Sequence, residues 1–123
     1  MSDKKGKLSK SFRYAFEGIF TCIRHERNMK IHCVMAVLVV IGGFVLHISQ
    51  IEWFICLILF GLVMSLEMVN TAIEATVDLV TQERKPLAKK AKDVAAGAVL
   101  ISAIMAAIIG CIIFIPKLIM FFM

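Results

Sequence analysis

The chain has 123 residues, of which 60% are hydrophobic and 19% charged; that length is one domain's worth, and that composition is far too apolar for a soluble one. The formal net charge of +5 is carried in two clusters, which suits anionic headgroups or a polyphosphate better than nucleic acid, since no nucleic-acid recognition motif accompanies it.

About thirty mostly polar residues precede the first apolar run. A secretory signal would instead place a short basic start, a brief apolar core and a small-residue cleavage site there, so the N-terminus is expected to be retained. From Lys4 to Arg24 the sequence reads KKGKLSKSFRYAFEGIFTCIR. Leu8, Phe12, Phe16, Ile19, Phe20 and Ile23 recur every three or four residues with Lys and Arg between them. That pattern predicts an amphipathic helix lying on a membrane surface, its cations toward headgroups and its Phe side among acyl chains.

HERNMK at 25–30 turns into the first apolar segment, Ile31 to Ile51, which is followed by a second from Trp53 and a third from Val94 to Pro116. Each can support a spanning helix, because a hydrocarbon layer of ~30 Å takes about 20 residues. The turn HISQIE at 47–52 is short, so the first two spans are antiparallel neighbours. TQERKPLAKKAKD, carrying Pro86, reads as a longer basic loop before the third. Eight of the fourteen Lys and Arg fall between Lys4 and Lys30 and five between Arg84 and Lys92, while the HISQIE turn has none. This asymmetry predicts that the N-terminus and the basic loop are cytoplasmic. The expected organisation is a single all-α membrane domain, with a surface helix at about 4–28 and spans at about 29–48, 52–80 and 92–116.

In the third span Ala98, Ser102, Ala106 and Gly110 fall at intervals of four, with Ala95, Ala103 and Ala107 beside them. Such a stripe lets helix backbones approach closely within a membrane, within one chain or between copies. Cys22, Cys33, Cys56 and Cys111 show no metal or redox spacing and read as small hydrophobes. His25, His32 and His47 show no ligand spacing either and read as interfacial polar groups.

The second span carries the chemistry. LEMVNTAIEATVD, Leu66 to Asp78, runs on from an apolar segment yet contains Glu67, Asn70, Glu74 and Asp78. At ~100° per residue these four lie within about 80° of one another. Counted from Trp53, Glu67 is ~21 Å along the helix and Glu74 ~10 Å further, so the stripe runs from lipid toward the surface. An ionisable group in a span costs ~2.5–3.5 kcal/mol on insertion scales and marks a partner or a site. Interhelical hydrogen bonding would need only one amide. Asp78 is the member that an ordinary polar helix end accounts for.

Phosphoryl transfer to a lipid alcohol suits this layout. It needs a base at a buried hydroxyl, a divalent cation on the phosphates and positive groups around the nucleotide. Mg²⁺ takes one or two carboxylates plus phosphate oxygens and water. Glu74 with Glu26 or Asp93 could supply them, and Lys92 stands beside Asp93 for the phosphates. The soluble-kinase glycine loops are absent.

ExxNTAIExxVD at 67–78 and AKDVAAGAVL at 91–100 resemble, in order, the paired signatures of the small bacterial diacylglycerol kinase and undecaprenol kinase family. The resemblance extends over nearly the whole chain, including ExN at 26–28. It implies a homotrimer of three-span subunits in the bacterial cytoplasmic membrane that uses ATP and Mg²⁺ to phosphorylate a lipid alcohol. It implies Glu67 as catalytic base at the lipid hydroxyl, Asn70 as its support in substrate binding, and Glu26 and Glu74 as metal ligands that also contact the nucleotide. Lys92 and Asp93 resemble the nucleotide contacts, and Tyr14 matches a position beside the nucleotide. Lys7, where the family has an arginine, and Glu83 and Lys85 in the basic loop complete the set. The AKDVAAGAVL form is similar to members from Gram-positive bacteria that phosphorylate undecaprenol, with diacylglycerol the alternative acceptor.

Two readings from other classes compete. In a small proton-coupled exporter Glu67 would be the intramembrane proton site, but such a carrier has no need of Glu26, Glu74 and the Lys92/Asp93 pair at the surface. In a regulatory subunit the stripe would bind a partner helix.

Overall fold

The computed structural model describes residues 4–123, and among them the chain forms four helices and no strand. They are α1 (Lys4–His25), α2 (Arg27–Val45), α3 (Gln50–Val80) and α4 (Pro86–Phe121). The last three are long and apolar enough to cross a membrane. At 1.5 Å per residue α3 is about 46 Å long, well beyond a ~30 Å hydrocarbon layer. Its final turns, carrying Glu74 and Asp78, therefore extend toward one surface.

The α2–α3 corner is fixed by backbone chemistry at two points. The N–H of Ile48 bonds to the carbonyl of Gly43 at 3.1 Å and that of Leu46 to Gly42 at 2.8 Å, while His47 sits in the left-handed region at φ 52°. This closes α2 with an outer six-residue hydrogen-bonded loop, the Schellman pattern, with His taking the position glycine usually fills. Ser49 then caps α3. Its hydroxyl accepts from Glu52 N at 3.2 Å, and the Glu52 carboxylate accepts from Ser49 N at 2.9 Å, a complete capping box. Glu52 also meets Lys117 at 3.2 Å, tying the start of α3 to the end of α4.

Beneath this corner lies the small apolar core of Ile48, Cys56 and Ile113, with Trp53 and Phe114 packed against it. Gly43 is required there. A Cβ at that position would stand 2.5 and 2.7 Å from the Trp53 ring, whose centroid lies 4.9 Å from that of Phe44.

At the basic end the connection is shorter than the sequence implies. The expected long loop is reduced to 81–85, because Pro86 occupies the first turn of α4 and LAKKAKD continues helically. Proline fits at that position since its missing N–H would be unpaired anyway. α3 and α4 pack along one another more extensively than any other pair, and α1 folds back against both α2 and α3.

The small-residue stripe of α4 is buried within the chain only in part, at Ala95 and Ser102. Ala95, Val99, Ser102 and Ile113 are the buried residues of α4, whereas a Cβ added at Gly110 meets nothing within 4 Å. Ser102 turns its hydroxyl back to the Val99 carbonyl at 2.7 Å. All four cysteines are free thiols.

Candidate functional site

Glu67 is 2% exposed and Asn70 6%, an acid and an amide sunk in the apolar packing of α3. One turn separates each member of the sequence Glu67, Asn70/Thr71, Glu74, so their side chains share a face. The bonds between them run along the helix. The Asn70 amide donates to Glu74 Oε1 at 2.9 Å, and the Thr71 hydroxyl donates to the Glu67 carbonyl at 3.0 Å. Two acceptors in this row, Glu67 Oε2 and Asn70 Oδ1, are buried without a hydrogen-bond partner. Burying a polar atom unpaired costs about 1–3 kcal/mol, and the places where proteins tolerate it are commonly sites that await a ligand or do chemistry.

Glu26 approaches the same row from the break between α1 and α2. It occupies the N-cap of α2 at φ −98° and ψ 119°, yet its carboxylate makes no capping hydrogen bond. Glu26 and Glu74 both lie within electrostatic range of Glu67. Among the described residues no cluster of three or more His, Cys, Asp or Glu forms a closed metal cage. Glu26, uncommitted to its cap, and Glu74, bonded by Asn70, are the two carboxylates that could hold a magnesium ion completed by phosphate oxygens and water.

α1 reaches this row through Cys22. That residue is buried, and its sulfur lies 3.7 Å from the Thr71 hydroxyl. Burial pushes the Cys22 thiol up from its ordinary range.

The basic face is ordered by ion pairs that the sequence does not announce. Lys92 Nζ donates to Asp78 Oδ1 at 2.6 Å, whereas Asp93 pairs with Lys89 on its own helix. Lys92 and Asp93, expected as neighbouring nucleotide contacts, each hold a separate partner, and Asp78 is more than a helix end: it joins α3 to α4. Lys89, Lys92 and Asp93 line a cavity of about 590 Å³ with Glu83, Arg84 and Lys85 of the short connection. Glu83 and Lys85 lie 3.8 Å apart within it.

Tyr14 and Lys7 sit on α1 away from these pairs. Tyr14 is exposed with the Arg13 guanidinium 5.5 Å from its ring centre, and Arg13 also meets Glu17 at 3.5 Å. The single chain therefore brings Glu26, Glu67, Asn70 and Glu74 together and gathers Glu83, Lys85, Lys92 and Asp93 at the α3–α4 connection. No bond links Lys7 or Tyr14 to either group.

His32 corrects the sequence reading. Instead of an isolated interfacial group, it stands on α2 with Nε2 3.7 Å from Glu67 Oε2. Nothing in its spacing reveals this, because Glu67 lies 35 residues away on another helix.

Comparison with known proteins shows the family of the chain. The profile of the prokaryotic diacylglycerol kinase family matches residues 13–114. The undecaprenol kinase of Bacillus subtilis is 52% identical over 112 residues, covering 91% of each chain. A Synechocystis diacylglycerol kinase is 44% identical over 88% of this chain and 62% of its own length. The diacylglycerol kinase of Escherichia coli K12 is 32% identical over 86% of this chain and 87% of its own.

Proposed function

This chain belongs to the prokaryotic diacylglycerol kinase family and is a membrane lipid kinase drawing on ATP, and on that premise we propose that its acceptor is undecaprenol and that Glu67 is the catalytic base. The single observation that carries the base assignment is the burial of Glu67 in the apolar part of α3 with one oxygen unpaired. The undecaprenol assignment draws on the 52% identity to an undecaprenol kinase, against 32% to the Escherichia coli diacylglycerol kinase.

The lipid hydroxyl meets Glu67 at the depth where a polyprenol's polar end can reach without leaving the membrane. Glu67 accepts the hydroxyl proton as the alcohol oxygen forms its bond to the γ-phosphorus. The bond between that phosphorus and the bridging oxygen breaks, and ADP leaves with the electron pair. Asn70 holds Glu74 through its amide and lies between the two carboxylates. Glu26 and Glu74 would hold a magnesium ion, which would neutralise charge on the phosphates. Lys92, Asp93, Glu83 and Lys85 receive the nucleotide at the α3–α4 connection, and Tyr14 and Lys7 reach it from α1. The apolar residues Leu8, Phe12, Phe16 and Phe20 are exposed at four-residue intervals on α1, which supports a helix lying on the cytoplasmic surface of the bacterial inner membrane.

Three copies form the enzyme, with α1 and α4 contributing across subunit boundaries. Mixing a Glu67→Gln chain with a Lys92→Ala chain then restores activity that neither has alone; no recovery would refute sharing.

The acceptor is tested with purified protein in mixed micelles containing radiolabelled MgATP and either undecaprenol or diacylglycerol. The expected result is preferential labelling of undecaprenol. Labelling of diacylglycerol alone would overturn the acceptor assignment, and labelling of neither would overturn both.

A further inference from the structure

Glu67 needs a donor. Its carboxylate is buried, and Glu26 and Glu74 add negative charge nearby. The nearest donors on its own helix are directed elsewhere: Thr71 donates its hydroxyl to the Glu67 backbone carbonyl, and Asn70 donates its amide to Glu74. Among the described residues His32 is the one basic side chain within 4.0 Å of the Glu67 carboxylate, and it faces Oε2, the oxygen that no hydrogen bond satisfies. The imidazole is itself mostly enclosed, at 20% exposure. A separation of 3.7 Å becomes a hydrogen bond when it closes by about 0.5 Å, a movement within reach of a side-chain torsion.

We propose that His32 is a positioning residue for the reaction: its Nε2–H donates to Glu67 Oε2 and holds the carboxylate with the other oxygen turned toward the lipid hydroxyl. The proposal rests on Glu67 being the base. It makes the active acid a two-helix unit, His32 from α2 and Glu67 from α3, so that the packing of these helices sets the angle at which the base meets the alcohol. A purely structural contact would tie α2 to α3 without affecting turnover.

The two differ in the side chains that can replace histidine. Glutamine carries its amide nitrogen to about the position of Nε2, whereas asparagine falls short of it. Wild type and His32→Gln, His32→Asn and His32→Leu are purified in detergent with whichever of undecaprenol and diacylglycerol the wild type accepts. The kcat, the KM for ATP and the melting temperature are then measured for each. The expected result is a kcat lowered roughly 10- to 100-fold in His32→Leu and His32→Asn, on the scale of a ~1 Å misplacement of a catalytic group. KM for ATP stays within about twofold, because among the described residues the one ionic contact of His32 is to Glu67 and not to a proposed nucleotide residue, and His32→Gln regains most of the lost rate. Equal rates in the Gln and Asn variants, or a lowered melting temperature with kcat intact, would overturn the proposal. Failure of the underlying reading looks different: Glu67→Gln would itself keep turnover, whatever the His32 variants do.

Discussion

Lys92 on α4 donates its ammonium to Asp78 on α3 at 2.6 Å, bridging the two helices at the mouth of the basic cavity. An ammonium has three donors, so Lys92 can hold Asp78 and still reach a phosphate. Asp78 thereby fixes the direction in which the cation points. Both side chains are substantially exposed, 40% and 52%, which limits the pair's contribution to stability to ~0–1 kcal/mol. Asp78→Asn is accordingly expected to leave the melting temperature nearly unchanged while raising the KM for ATP about three- to tenfold, roughly the loss of one ordinary hydrogen bond. Asp78→Glu should recover part of it. Steady-state kinetics at varied ATP, beside a thermal melt, reads both.

Depth separates the tasks proposed for the two glutamates on α3. Glu67→Gln keeps the shape and removes the proposed base, so turnover should fall by about 10²–10⁴-fold with nucleotide affinity retained. Glu74→Gln should weaken MgATP binding as well, since it alters a proposed metal ligand. Isothermal titration with a non-hydrolysable ATP analogue and magnesium distinguishes them; equal affinity in wild type and Glu74→Gln would remove Glu74 from the metal site.

Gly43 tests the packing of the α2–α3 corner. A methyl group there meets the Trp53 ring at 2.5 Å, and overpacking of this kind typically costs ~1–3 kcal/mol. Gly43→Ala should lower the melting temperature in micelles. Gly42→Ala, whose Cβ would stand 3.4 Å from Phe114, should be close to neutral, because lost glycine flexibility offsets the tighter contact by about 0.5–1 kcal/mol.

Glu52 has two duties at the far end of α3, the capping box and the pair with Lys117. Lys117→Ala removes one of them and Glu52→Ala both. The second variant should therefore be the less stable by roughly 0.5–1 kcal/mol. Neither should change kcat, because Glu67 lies ~22 Å further along the helix. Unfolding in a denaturing detergent and turnover measured on the same preparations check the pair of expectations.

Much of this architecture is legible in the sequence because membranes impose a length rule. Apolar runs of sufficient length fix the spanning helices, and their interruption by Glu67, Asn70 and Glu74 singles out the candidate row before any packing is known. The 3.6-residue period aligns those side chains, since positions on one helix are related by local geometry alone. The paired signatures at 67–78 and 91–100 supply the chemistry and are borne out by membership of a lipid kinase family.

What escaped the sequence is what joins one helix to another. Asp78 looked like a helix end and Lys92 the neighbour of Asp93, yet the ion pair that forms spans fourteen residues and two helices. His32 looked interfacial because its relation to Glu67 depends on how α2 rotates against α3. The Pro86 connection looked long because a basic, lysine-rich segment resembles a loop by composition while its residues are good helix formers. Periodicity along a chain determines which side chains share a face. The tertiary structure decides which faces meet, because interhelical contacts depend on rotation and crossing, for which a single sequence carries no local signal.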